Sequence, residues 1–159
     1  MEIPADLIVH QTDHWILNHR LDSALPGYLM LGSRARVEAF HELPDEALLE
    51  LGPLMARTQR VMERLLEPCR LYIGRYGHVP GWPIHFHCIP VYGWVEELFW
   101  RDERYRLLET FAGGEPQTAT DGAELTLFVW REFCERPDPP AIQGPGRGEV
   151  IERLRAAFL

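Results

Sequence analysis

Hydrophobic and polar positions change period several times along the chain, and the changes mark out its elements. Residues 6–9 (Asp6-Leu7-Ile8-Val9) and 14–18 (His14-Trp15-Ile16-Leu17-Asn18) predict a short strand pair, or one strand after an irregular entry. Residues 27–32 predict the next strand, with Pro26-Gly27 as the turn into it. From Leu43-Pro44-Asp45-Glu46 onward the period becomes helical, with Leu48, Leu51, Leu54, Met55, Val61, Met62 and Leu65 on one stripe. A long helix over about 45–66 follows, its acidic first turn matching the helix dipole, Gly52-Pro53 offering a kink and Pro68 a stop.

Strand periodicity returns at 71–74 and, after the loop Gly77-His78-Val79-Pro80-Gly81, at 83–92. Residues 94–111 are mixed; a short helix is expected at 102–112 and a flexible loop from Gly113 to Gly122. Leu125 to Trp130 is apolar on both sides and predicts a final strand, buried on both faces or at an interface. A Pro- and Gly-rich linker, 137–148, leads to a helix over 149–159 carrying Val150, Ile151, Leu154, Ala157 and Phe158. The chain is therefore expected to be one α+β domain: an antiparallel sheet of about five or six strands, one long helix, and a C-terminal strand and helix extension.

Composition narrows this little and charge narrows it more. A hydrophobic fraction of 46% and a charged fraction of 25% suit a soluble fold, and no apolar run is long enough for a membrane span. The acidic start, Met1 to Asp6, carries no secretory pattern. Three cysteines at unrelated spacings predict reduced thiols in a cytoplasmic compartment. A formal net charge of −8 argues against a nucleic-acid polymer as partner. All 16 basic residues are arginine, so a catalytic lysine is excluded and any cationic phosphate contact must come from a guanidinium.

The chemistry concentrates in Trp82-Pro83-Ile84-His85-Phe86-His87-Cys88-Ile89-Pro90-Val91-Tyr92. On a strand, residues two apart share a face, so His85 and His87 project together while Ile84, Phe86 and Cys88 face the core. Such a pair alone is open to three readings: structural histidines, metal ligands, or a nucleophile with its helper. Cys88 reads as a small buried apolar residue, and His10, His14, His19 and His41 have no partner at a telling spacing.

With its surroundings, the stretch resembles the histidine triad (HIT) family of nucleotide hydrolases and transferases, over roughly residues 6 to 92. The family pattern His-φ-His-φ-His-φ-φ, commonly followed by Pro, is matched by Pro83-Ile84-His85-Phe86-His87-Cys88-Ile89-Pro90, with Pro83 in place of the first histidine. Ile16 to Met30, with its Pro-Gly turn, is similar to the family's strand–loop–strand entry, and Phe40 to Glu46 to the start of its long helix. Beyond Tyr92 the resemblance stops, leaving 93–159 as a divergent extension.

The resemblance implies that His85 is the nucleophile, attacking the α-phosphorus of a dinucleoside polyphosphate or other AMP conjugate to form a nucleotidyl-histidine. His87 would hydrogen-bond a phosphate oxygen. It further implies a homodimer, a small nucleotide substrate, and no metal or cofactor. Asn18 and Asp22 are candidate nucleotide contacts, because the family's ribose-binding acid falls on Arg20 in an ungapped match. Arg75 is a candidate phosphate clamp and His78 a candidate to fill the space beside Pro83; the polar residues that usually precede the histidine strand fall on Val79 and Pro80. Two rival readings stand beside this one: a nucleotide-binding HIT protein with little turnover, motivated by Pro83, and a metal site of His78, His85 and His87.

Overall fold

The computed structural model describes residues 2–77, 79–105, 120 and 122–159. After a 3-10 turn at Ala5–Leu7, β1 (Ile8–Gln11) and β2 (Trp15–His19) form a hairpin. The Thr12 hydroxyl closes it by accepting the backbone N–H groups of His14 and Trp15. β3 (Leu29–Ser33) follows Pro26-Gly27. Gly27 sits at φ +81°, and a Cβ there would meet Leu66 Cδ1 at 2.6 Å, so only glycine fits this turn. β4 (Arg70–Gly74) and β5 (His85–Val91) complete one antiparallel sheet of order β1-β2-β3-β5-β4.

α1 (Asp45–Leu66) has the length that the periodicity predicts. It runs unbroken through Gly52-Pro53, where both residues are exposed and water can satisfy the carbonyl that Pro53 leaves unbonded. Glu67, left-handed at φ 47°, ends it ahead of Pro68. The Trp15 indole N–H, bonded at 3.0 Å to the Ala47 carbonyl, ties α1 to β2.

β5 is apolar toward both sides, and this divides the core in two. Ile84, Phe86 and Cys88 join Trp15, Leu17, Leu29, Leu31 and Met62 on the α1 side. Ile89 and Val91 face the other way, into a second cluster with Tyr28, Val95, Phe99, Leu125, Phe128 and Phe133. The expected C-terminal helix is present as a helix over Arg147–Ala157. It docks Val150, Ile151, Leu154 and Phe158 into the first cluster.

The second cluster is built where the sequence pattern was misleading. Residues 94–111 begin with a helix, α2 (Gly93–Arg101), directly after β5 and with Val95 and Phe99 buried one turn apart. Of the helix expected at 102–112, only a 3-10 turn at Glu103–Tyr105 lies within the described residues; the remainder and most of the loop to Gly122 lie outside them. The strand expected over 125–130 is instead α3 (Ala123–Trp130), which opens into a π turn at Arg131–Glu135. A run apolar all round has no period to distinguish a buried strand from a buried helix. The helical stripe Leu125, Phe128, Val129, Glu132, Phe133 emerges only when the window extends through 133, and all five are buried. The helix at Arg147–Ala157 is thus α4, and the architecture is α+β, with the extension helical rather than strand plus helix. Among the described residues no helix is long and apolar enough to cross a membrane.

Candidate active site at the histidine strand

Register places the site. Antiparallel partners opposite one another share a face of the sheet. His87 pairs with Met30 and Gly74, and Met30 with Asn18; His85 pairs with Gly32, and Gly32 with Ile16. Histidine, methionine, asparagine and isoleucine side chains therefore border one surface, left half-open beside α2 and α3 at Ile16, Met30, Gly32 and His85.

His85 is held by its own strand entry. Its Nδ1 lies 2.8 Å from the Pro83 carbonyl, and a carbonyl can only accept, so Nδ1 carries the proton and Nε2 the lone pair. Nε2 looks toward Gly77, where an added Cβ would stand only 3.5 Å away and φ is +68°. The exposed Trp82 ring stands edge-on to the imidazole at 6.4 Å. Pro83 thus contributes a main-chain acceptor to the imidazole two residues on.

His87 is 7% exposed and its ring centre lies 5.2 Å from that of His85. The Tyr28 hydroxyl is 2.8 Å from its Nδ1, and Arg20 Nη1 is 3.1 Å from that hydroxyl and 3.4 Å from the same Nδ1. The Tyr76 ring closes the other side at 5.5 Å. His87 Nε2 is buried and has no hydrogen-bond partner among the described residues. Burial, followed by the charge of Arg20 and the nearness of His85, pushes its pKa down to about 4 against a weaker opposing pull from Asp22. His87 is therefore neutral at physiological pH.

The loop 20–28 that carries Arg20, Asp22 and Tyr28 is closed from several directions. Arg20 N–H donates to the Tyr28 carbonyl at 2.8 Å, and Tyr92 donates its hydroxyl to the Pro26 carbonyl at 2.8 Å. The fully buried His19 ring lies between the Arg20 and Leu25 carbonyls, and burial lowers its pKa. The extension reaches this loop too: Ala24 N–H donates to the Phe133 carbonyl at 2.7 Å, and burial raises the thiol pKa of the adjacent Cys134.

The residues singled out from sequence fare differently. His85 and His87 come together as their spacing requires. Asn18 lies on the histidine face but its amide donates to the His19 carbonyl at 2.8 Å. Asp22 is paired with Arg20 at 2.6 Å, which holds its carboxyl below the usual range. Arg75 is not brought to the histidines. It follows Gly74 on the opposite alternation, donates to the Glu38 carbonyl at 2.6 Å and lies over the Phe40 ring, which neighbours Phe86 on the α1 side. The guanidinium at the histidines is Arg20. His78 lies outside the described residues. Tyr28, Tyr76 and Gly77 had no sequence signal beyond their positions beside the Pro-Gly turn and the histidine strand. Among the described residues no three His, Cys, Asp or Glu side chains are grouped to hold a metal ion.

No family model matches the chain, and no curated protein is significantly similar to it. Solved structures are. A zinc-bound histidine triad family protein from Mycobacterium smegmatis superposes with a TM-score of 0.54 at 16% identity, over 98% of this chain and 85% of that one. A Plasmodium falciparum diadenosine triphosphate hydrolase gives 0.51 at 19% identity, over 57% of this chain and 64% of that one. A uridylyltransferase gives 0.58 at 16% identity, over 98% of this chain and 42% of that one. The chain thus spans less than two thirds of the hydrolase and less than half of the transferase. At such identities the likeness establishes the fold, which is HIT-like.

Proposed function

We propose that this protein is a nucleotide hydrolase or nucleotidyl transferase that works at an α-phosphate through His85. The observation that carries this reading is the 2.8 Å contact of His85 Nδ1 with the Pro83 carbonyl, which leaves the Nε2 lone pair free on a half-open surface. Nε2 forms a bond to the α-phosphorus while the bond to the leaving oxygen breaks, and the electron pair departs on that oxygen. The Nδ1 proton stays in place, and the Pro83 carbonyl stabilises the positive charge that the ring acquires. Water or another acceptor then attacks the phosphorus, the N–P bond returns its pair to Nε2, and the acceptor's proton passes to solvent. His87, at 5.2 Å between ring centres, is within reach of a non-bridging phosphate oxygen.

The nucleoside would rest on Ile16, Gly32 and Met30, with Asn18 and the Arg20–Asp22 pair at its border. A phosphate or nucleotide leaving group departs as a stable anion, so dinucleoside polyphosphates and related AMP conjugates suit a site in which His85 needs no acid at the same atom. The anchoring of His85 by the main chain of residue 83 also explains how a proline can stand there without disabling the nucleophile.

The test is incubation with a panel of AMP conjugates, an alkaline quench, and mass spectrometry for an acid-labile adenylyl adduct. The adduct is expected on His85. In His85→Ala both adduct and turnover should fall to background with AMP binding retained, and His87→Gln should lose about 10²-fold or more in turnover, as for removal of one oxyanion donor. Binding of AMP without adduct or product from any conjugate would overturn the catalytic reading in favour of a nucleotide-binding protein with little turnover.

A further inference from the structure

We propose that Tyr28, oriented by Arg20, is a positioning residue that locks His87 in the tautomer with its proton on Nε2, so that His87 meets the substrate as a hydrogen-bond donor. This role rests on the function proposed above, although the tautomer itself does not. The hydrogen-bond inventory leads to the assignment. Arg20 has donors only, so its 3.1 Å contact makes the Tyr28 oxygen an acceptor, and the hydroxyl proton is left to point elsewhere. The remaining partner is His87 Nδ1 at 2.8 Å, which must accept. Arg20 Nη1, 3.4 Å from the same nitrogen, is a second donor directed at it. Nδ1 therefore carries the lone pair and Nε2 the proton.

Nε2 is the buried nitrogen with no partner among the described residues, and a buried donor left unpaired is costly unless an acceptor arrives. An anionic phosphate oxygen supplies that acceptor. The neighbours of His87 agree with a neutral ring: Arg20 and His85 disfavour its protonation, Asp22 is tied up in its ion pair with Arg20, burial raises the Tyr28 phenol's pKa so that it keeps its proton, and Tyr76 meets the imidazole with its ring. Two imidazoles 5.2 Å apart thus hold opposite tautomers. His85, fixed by a carbonyl, presents a lone pair; His87, fixed by a hydroxyl, presents a proton. Each is set by a group outside the His-x-His pattern. Arg20 thereby acts without using its charge as a direct clamp: its Nε and Nη2 remain with Asp22.

The experiment is imidazole nitrogen NMR on the 15N-labelled, substrate-free protein, with His87 assigned by its loss in His87→Gln. Wild type is expected to show a protonated Nε2 and a bare Nδ1. Tyr28→Phe keeps the ring but removes the hydroxyl, and His87 should then populate both tautomers and titrate at higher pH. In the same variant kcat should fall about tenfold, the worth of one hydrogen bond, with KM little changed and the acid limb of the pH profile moved upward. Arg20→Gln, which leaves Tyr28 intact, should also raise the His87 titration midpoint and serves if Tyr28→Phe is poorly folded. A protonated Nδ1 in wild type, or an unchanged tautomer in Tyr28→Phe, overturns the proposal. Because tautomers are read without turnover, a correct tautomer with no adduct from any conjugate would sink the catalytic reading alone. An adduct on His85 with Nδ1 of His87 protonated would sink this one alone.

Discussion

His85 and His87 occupy alternate positions of one strand, yet their environments differ. His85 opens to solvent beside Trp82, whereas His87 lies under Tyr28, Arg20 and Tyr76 with its pKa pushed down to about 4. That depression has a thermodynamic consequence. Above about pH 6.5 the ring is neutral in folded and unfolded chains alike and adds no pH dependence. Between 6.5 and about 4 the unfolded chain binds a proton that the folded chain refuses, so stability declines as pH falls through this window. The full loss is on the order of 3 kcal/mol, and the lowered pKa of the buried His19 acts in the same direction. Urea unfolding at about pH 7 and about pH 5 should show this decline, and His87→Gln should flatten it. An equal slope in wild type and variant would refute the assignment. At this scale the sequence revealed the pair and its shared face, since i and i+2 on a strand allow nothing else. It did not reveal Tyr28, which is 59 residues from His87 along the chain.

At the scale of elements, the divergent extension serves the site. The unexpected helix α3 and the π turn after it bury Phe133 between Trp94 and Phe128 and present the Phe133 carbonyl to Ala24 in the loop that carries Arg20 and Tyr28. Tight aromatic packing therefore supports the position of a hydrogen bond to loop 20–28. Phe133→Ala is expected to destabilise the protein by about 3–5 kcal/mol through the cavity it leaves. By loosening loop 20–28 it should also give a larger fall in kcat than other mutations of equal stability cost. Comparison of Phe133→Ala with Phe99→Ala, a buried aromatic of the same cluster whose carbonyl accepts from Asp102 rather than from that loop, checks this, and equal kcat values would count against it. The element that sequence misplaced is the one whose apolar pattern is continuous. α1 was legible because its stripe is one-sided over 22 residues, whereas α3 is eight residues long and carries apolar side chains at exposed positions, Leu127 and Trp130, as well as buried ones.

At the scale of the whole molecule, the sheet is a partition. α1 and α4 pack one side, while α2, α3 and the site share the other. α4 also caps the edge of the sheet: the Arg155 guanidinium donates to the carbonyls of Asp6 and Ile8 beside β1 at 2.8 to 3.1 Å, occupying acceptors that an edge strand would otherwise leave exposed. Leu154, fully buried in the first cluster, places the last helix within the main core rather than on its surface. Leu154→Ala should cost about 2–5 kcal/mol in one cooperative unfolding transition. A separate early transition confined to the C-terminal helix would show instead that α4 is an appendage.

What the sequence determined by itself follows from short-range rules. Period two put His85 and His87 on one face, period 3.6 delimited α1 and the C-terminal helix, and Pro26-Gly27 placed a turn that glycine alone can make. What only the tertiary structure decided depends on strand register. It brought Arg20 and Tyr28 to a histidine 67 and 59 residues away, and it sent Arg75 to the side of the sheet away from the site. It also let the Pro83 main chain do the anchoring at a position where its side chain cannot. Local periodicity is written in neighbouring residues; a partner across the sheet is specified by pairing, packing and loop closure together, and those exist only in the folded chain.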